Sequence, residues 1–184
     1  MISRLLFAGT LAAEGFAAQR RFAARAEQYQ LAQARALAAG RPLVVVGDPD
    51  AGLHTRFARA YGCGDVCIDL FGCPACPNSV TVDLARGSGL ADNSAVVFVS
   101  CVLEYVDDFA GVAKELLRVA GGHENLFIVT VQPWTFTAHL YPGAKQTVMW
   151  DAASGALSFA PVSGTRKVLA AGLFGSLALS AVKG

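Results

Sequence analysis

Residues 92–132 read DNSAVVFVSCVLEYVDDFAGVAKELLRVAGGHENLFIVTVQ. The run Ala95 to Ser100 is continuously apolar and rich in β-branched residues, the mark of a strand buried on both faces. A polar loop, VLEYVDD, follows it. From Phe109 to Ala120 the apolar positions Val112, Leu116, Leu117 and Val119 largely share one helical face, and Gly121-Gly122 supplies a stop. Asn125 to Val131 is a second buried strand. Strand, loop, helix, glycine turn and strand succeed one another as in a parallel α/β sheet. The loop lies at the carboxyl end of its strand, where open α/β sheets place their ligands.

The same signs extend outward. Leu43 to Gly47 (LVVVG) is a buried strand that ends in the turn cluster GDPDAG. LHTRFARAYG, ending at Gly62, reads as a short helix. Asp65 to Leu70 is a second strand, FGCPACPNS a loop, and Val80 to Asp83 a short third strand. Downstream, Lys145 to Trp150 and Ala156 to Ala160 are two strands joined by DAASG as a hairpin. Residues 132–145 read as loop. The fold class is therefore α/β, mainly parallel, with a C-terminal antiparallel hairpin and flanking helices. Neither an internal repeat nor a low-complexity linker divides the chain.

At 184 residues the chain has room for one sizeable core. Apolar residues make up 54%, charged residues 16%, and mean hydropathy is +0.44. That balance calls for an unusually complete core, or for contact with lipid or a partner. A net charge of +1 leaves no global field for nucleic acid, so no nucleic-acid partner is expected.

Three segments follow: an N-terminal amphipathic helix over 1–40, a central domain over 41–163, and a C-terminal apolar helix over 164–184. The first holds Arg4, Arg20, Arg21 and Arg25 against Glu14 within its first 26 residues, a balance compatible with an organelle transit peptide. Gly40 marks its end. The last holds an uncharged run, Val168 to Val182, between basic ends. A spanning helix needs about 17 residues or more, so the run falls just short. A protein interface and membrane contact both stay open for it. The expected location is intracellular, with membrane-associated and organellar alternatives.

Cys63, Cys67, Cys73 and Cys76 form C-x3-C-x5-C-x2-C, with Cys101 apart. An odd count gives no obvious closed disulfide framework and leans toward a reducing compartment. Four thiolates could hold zinc, but the first spacing is loose and Cys67 falls in a buried strand. A local Cys73–Cys76 disulfide is the favoured expectation, with no metal site. His54, His123 and His139 are scattered; His139, with Trp134, Phe136 and Tyr141 nearby, is a pocket candidate.

Over roughly residues 41–160 the chain resembles the class I S-adenosylmethionine-dependent methyltransferases, the small-molecule enzymes above all. The resemblance rests on the element order, on Leu103-Glu104-Tyr105 in the loop after the fourth strand, and on Glu115-Leu116-Leu117-Arg118-Val119 followed by Gly121-Gly122. It implies a Rossmann-like sheet and S-adenosylmethionine as cofactor. The glycine loop would comprise Gly47, Asp48 and Gly52. Asp69 would accept from the ribose hydroxyls. Asp83 and Leu84 would meet the adenine, and Ser100, with Cys101 and Val102, would line the exit of the fourth strand. Catalytic residues stay unassigned. The chain departs from the family pattern at Pro49 or Ala51, where a middle glycine belongs, at Ala95-Val96, where an aromatic-aspartate pair is usual, and at Tyr105, where histidine is common. Two readings follow. One is a methyltransferase-like pseudoenzyme with lost or weakened catalysis, serving as a structural or assembly subunit through its terminal helices. The other is an active transferase on a small or lipid-like acceptor.

Overall fold

The computed structural model describes residues 2–51, 59–140 and 143–162. Gly52, most of the LHTRFARAYG segment with His54, Tyr141, and the C-terminal run Val168 to Val182 lie outside the described residues.

Five parallel strands form one sheet: β1 (Leu43–Val46), β2 (Val66–Asp69), β3 (Ser79–Thr81), β4 (Val96–Ser100) and β5 (Leu126–Val129), in the order β3-β2-β1-β4-β5. Two further strands, β6 (Gln146–Asp151) and β7 (Ala156–Pro161), pair antiparallel as a separate two-stranded sheet. The hairpin thus stands apart from the parallel sheet. The helices are α1 (Ile2–Ala39), α2 (Phe109–Ala120) and a short α3 (Phe136–Leu140). The last corrects the loop reading of 132–145. Thr135 starts it, its hydroxyl accepting from Ala138 N (3.2 Å), a capping signal embedded in an aromatic-rich stretch.

The central strands are buried on both faces, and alternate residues divide them. Val44, Val46, Ile68, Val97, Val99 and Ile128 pack on α2 through Val112, Leu116 and Val119. The hairpin closes this side with Val148 and with Phe159 against Phe109, centroids 4.3 Å apart. Leu43, Val45, Cys67, Val96, Phe98 and Val129 face the other way, onto Tyr29, Ala32 and Ala36 of α1. Tyr29, Tyr61 and Phe98 form an aromatic trio there, with Phe98 5.5 and 5.1 Å from the two tyrosines. Each fully buried valine or phenylalanine side chain contributes about 1.5–3 kcal/mol relative to exposure.

Glu115 and Arg118 are the polar frame of the α2 side. Glu115 accepts from Ser88 N and Oγ (both 2.6 Å) and from Arg118 Nε (2.8 Å). Arg118 donates to Leu90 O (2.8 Å) and pairs with Asp92. These bonds tie the 87–95 approach to β4 onto α2. Gly121 ends α2 in the left-handed region (φ +71°), its N–H on Leu117 O (2.8 Å).

At 38 residues, α1 is roughly 57 Å long at about 1.5 Å per residue. Three contacts trace its direction. Arg35 Nε donates to Asn125 Oδ1 (2.8 Å) before β5, Arg21 to Gln132 Oε1 (3.4 Å) after it, and Glu14 accepts from Phe136 N (2.6 Å) and Thr137 Oγ1 (2.7 Å) at α3. The helix runs antiparallel to the strands and overhangs their carboxyl ends.

Candidate functional site at the carboxyl edge of the sheet

The strand order reverses between β1 and β4, which leave their shared border in opposite directions. Such a switch point is where open α/β sheets hold ligands. Four of the sequence candidates meet there: Gly47, Asp48, Asp69 and Ser100. Gly47 leaves β1 with φ +102°. A Cβ on it would stand 2.9 Å from Val102 Cγ2 and 3.1 Å from Ser100 O. The glycine is therefore required by the close approach of β4, with or without a ligand. Asp69, at the end of β2, accepts from Asp48 N through Oδ2 (3.2 Å) and from Phe71 N through Oδ1 (2.9 Å). Asp48 in turn accepts from Asp50 N (3.0 Å), and Pro49 is buried. Ser100, the last residue of β4, is buried as well.

Asp83 and Leu84 serve the fold. Asp83 caps a 3-10 turn, accepting from Ala85 N (3.1 Å), while Leu84 enters the core on the α2 side. His139 uses Nε2 on Pro133 O (2.9 Å) within its own turn. Trp134 is exposed and His123 stands at the surface.

The residues that sequence reasoning missed come from α1. Arg21 and Arg25 reach over the strand ends to a buried polar group made of Tyr61, Cys101 and Glu104. Glu104 is 3% exposed. Its Oε1 accepts from Val131 N (2.6 Å), and its Oε2 is buried with no hydrogen-bond partner among the described residues. Burial raises its pKa above the ordinary 4.5, opposed by the Val131 bond and by the fields of Arg21 and Arg25. The Tyr61 hydroxyl donates toward Asp48 O (3.3 Å) and Gly47 O (3.4 Å), and burial pushes it up to about 12. Cys101 as a whole is partly exposed, yet enough protein surrounds its sulfur that burial pushes the thiol up, with Arg25 hydrogen-bonded against it. Its backbone is left-handed (φ +53°), a conformation that costs a non-glycine residue about 1–3 kcal/mol. Cys101 N on Val129 O (2.8 Å) helps to hold it. The local signal for this group was Leu103-Glu104-Tyr105; the basic residues facing it lie some 80 positions away in sequence.

The Leu103–Tyr105 loop is also fixed from below. Glu104 O accepts from Lys145 N (2.8 Å), and the buried Gln146 side chain donates to Leu103 O (2.5 Å) and Val106 O (3.0 Å).

The cysteines correct two expectations. Cys63 pairs with Cys76 and Cys67 with Cys73, so the framework is closed and Cys101 is the free thiol. Cys73–Cys76 is not the pairing: Cys67, pointing from β2 to the α1 side, takes Cys73, and Cys63, in the loop before β2, takes Cys76.

The geometry defines an α/β protein whose parallel sheet has its carboxyl edge overlaid by a long N-terminal helix. Comparison with protein-family models, with curated proteins and with solved structures gave no match. No helix among the described residues is long and apolar enough to cross a membrane.

Proposed function

We propose that this chain is a Rossmann-like, methyltransferase-like domain with lost or weakened catalysis that serves as a structural or assembly subunit. The observation that carries the reading is the internal use of the ligand edge. Both oxygens of Asp69 already accept main-chain N–H groups, and Pro49, next after Asp48 in the loop, has no N–H to donate. Leu84 is committed to the core, and one oxygen of Glu104 to Val131. S-adenosylmethionine would have to displace or share these bonds.

The assembly role is supported by α1. Its overhanging part exposes Leu5, Leu6, Leu11 and Phe16, each about half exposed or more (49–66%). Apolar side chains grouped along one projecting helix suit a protein partner. Calorimetric titration tests the reading. No heat of binding at millimolar S-adenosylmethionine is expected. Micromolar binding that Asp69→Ala abolishes would establish the active-enzyme alternative.

That alternative, an S-adenosylmethionine-dependent transferase acting on a small or lipid-like acceptor, has one specific support. The strained Cys101 sits beside Glu104 at the switch point, and such strain gathers at working sites.

A further inference from the structure

Cys63, Cys67, Cys73 and Cys76 occupy an unusual place in the fold. Parallel neighbours such as β2 and β3 normally need a crossover of about a dozen residues or more, usually a helix. Here the connection is residues 70–78 alone, with no helix. It has little apolar surface to bury, since Leu70 and Phe71 are exposed (55% and 87%). The four cysteines hold it instead. Cys67 and Cys73 are fully buried and Cys76 nearly so (7%).

The sulfurs of Cys67, Cys73 and Cys76 all lie within 4.8 Å of one another. Cys63 joins them through its bond to Cys76. A tetrahedral site with Zn–S bonds of about 2.3 Å spaces its sulfurs by roughly 3.8 Å. Three sulfurs, from a strand and the loop after it, already form one cluster, and the fourth, from the loop before the strand, adjoins it through Cys76. Two nested disulfides and one four-sulfur metal site are alternative ways of closing the same crossover.

We propose that, when reduced, these four cysteines bind one zinc ion, and that oxidation exchanges the ion for the two disulfides. In the reduced state four thiolates satisfy Zn²⁺ in a closed structural site. A low-molecular-weight disulfide supplies the oxidant. Two such molecules accept four electrons and, with four protons, leave as four thiols. The protein gains the Cys63–Cys76 and Cys67–Cys73 bonds and releases Zn²⁺. Loss of any one ligand opens the site.

The test uses the full chain, reduced without oxygen, desalted and titrated with Zn²⁺ or with Co²⁺ as a spectroscopic stand-in. One ion per chain should bind, with the absorption of tetrahedral cobalt thiolate. Zinc should protect four thiols from a thiol reagent, and oxidised glutathione should release the ion to a chromogenic chelator. Cys101→Ser should keep the stoichiometry at one, whereas Cys76→Ser should lose it. If Cys76→Ser does not fold, the wild-type stoichiometry and protected-thiol count decide alone. A reduced, folded wild type that takes up no ion would overturn the proposal. So would binding that protects fewer than four thiols or that persists undiminished in a folded Cys76→Ser.

Discussion

The two faces of the parallel sheet are built for different ends. On the α2 face apolar side chains run from β2 across β1 and β4 to β5, and the charged Glu115–Arg118 frame stays at the rim. On the α1 face an apolar layer centred on Val45, Phe98 and Val129 packs on Tyr29, Ala32 and Ala36. Toward the carboxyl ends of the strands it gives way to Tyr61, Cys101 and Glu104 beneath Arg21 and Arg25, with the cysteine cluster beside them. A buried carboxyl group with an unpaired oxygen lowers stability rather than raising it. The α2 face holds the fold together; the α1 face spends stability at the edge where such sheets bind ligands.

Substitutions can break this contrast. The largest effect belongs to Phe98→Ala, which empties the centre of the aromatic trio. It should cost about 3–5 kcal/mol in denaturant unfolding and, because Tyr61 loses its cover, bring the tyrosine titration down from about 12 toward the ordinary 10. Leu116→Ala on the opposite face should cost about 2–5 kcal/mol and leave that titration unmoved. A tyrosine shift in both variants would remove the distinction between the faces.

Glu104 gives a pH signature. Its folded pKa lies above the ordinary 4.5, so burial is least costly below that value. Stability should fall as pH rises from 4.5 through the raised value. Glu104→Gln should flatten this slope in melting curves across pH and keep the bond from Val131 N. A wild type whose stability rises over that interval by more than the variant's would contradict the assignment.

The smallest effect is expected from Glu115. Its folded pKa is held down to about 2, chiefly by Arg118. Its contribution is present above the ordinary 4.5 and lost as pH falls toward 2. The partners reach the surface, so Glu115→Gln should cost only about 1 kcal/mol at neutral pH and nothing near pH 2, measured by urea unfolding at both.

Much of the scaffold was legible because it is local. The strand runs are short and apolar, and α2 carries its own cap at Asp108, whose Oδ1 accepts from Gly111 N (2.8 Å), and its own glycine stop. The segment 92–132 was informative for a related reason. Glu115, Arg118 and Gly121 are structural residues at fixed spacing, so they report the fold and not the chemistry. Asp69 and Gly47 lie at the carboxyl edge of the sheet, but the close approach that demands Gly47 comes from β4, and the bond from Asp48 N to Asp69 joins the ends of β1 and β2, so neither was readable from one strand alone. The buried group under α1 needed the direction of a 38-residue helix. The disulfide pairing needed the pleat of β2, which sends Cys67 to the side of Cys73 and Cys76.

The most direct test of the proposed function is thermal or denaturant unfolding of the intact chain against rising S-adenosylmethionine. A ligand that binds only the native state adds about 4.1 kcal/mol at a thousand times its Kd. The internal use of Asp69 and the buried Pro49 predict a flat response to millimolar ligand, identical in wild type and Asp69→Ala. A stabilisation of several kcal/mol in the wild type, lost in Asp69→Ala, would contradict it and make this edge a working cofactor site.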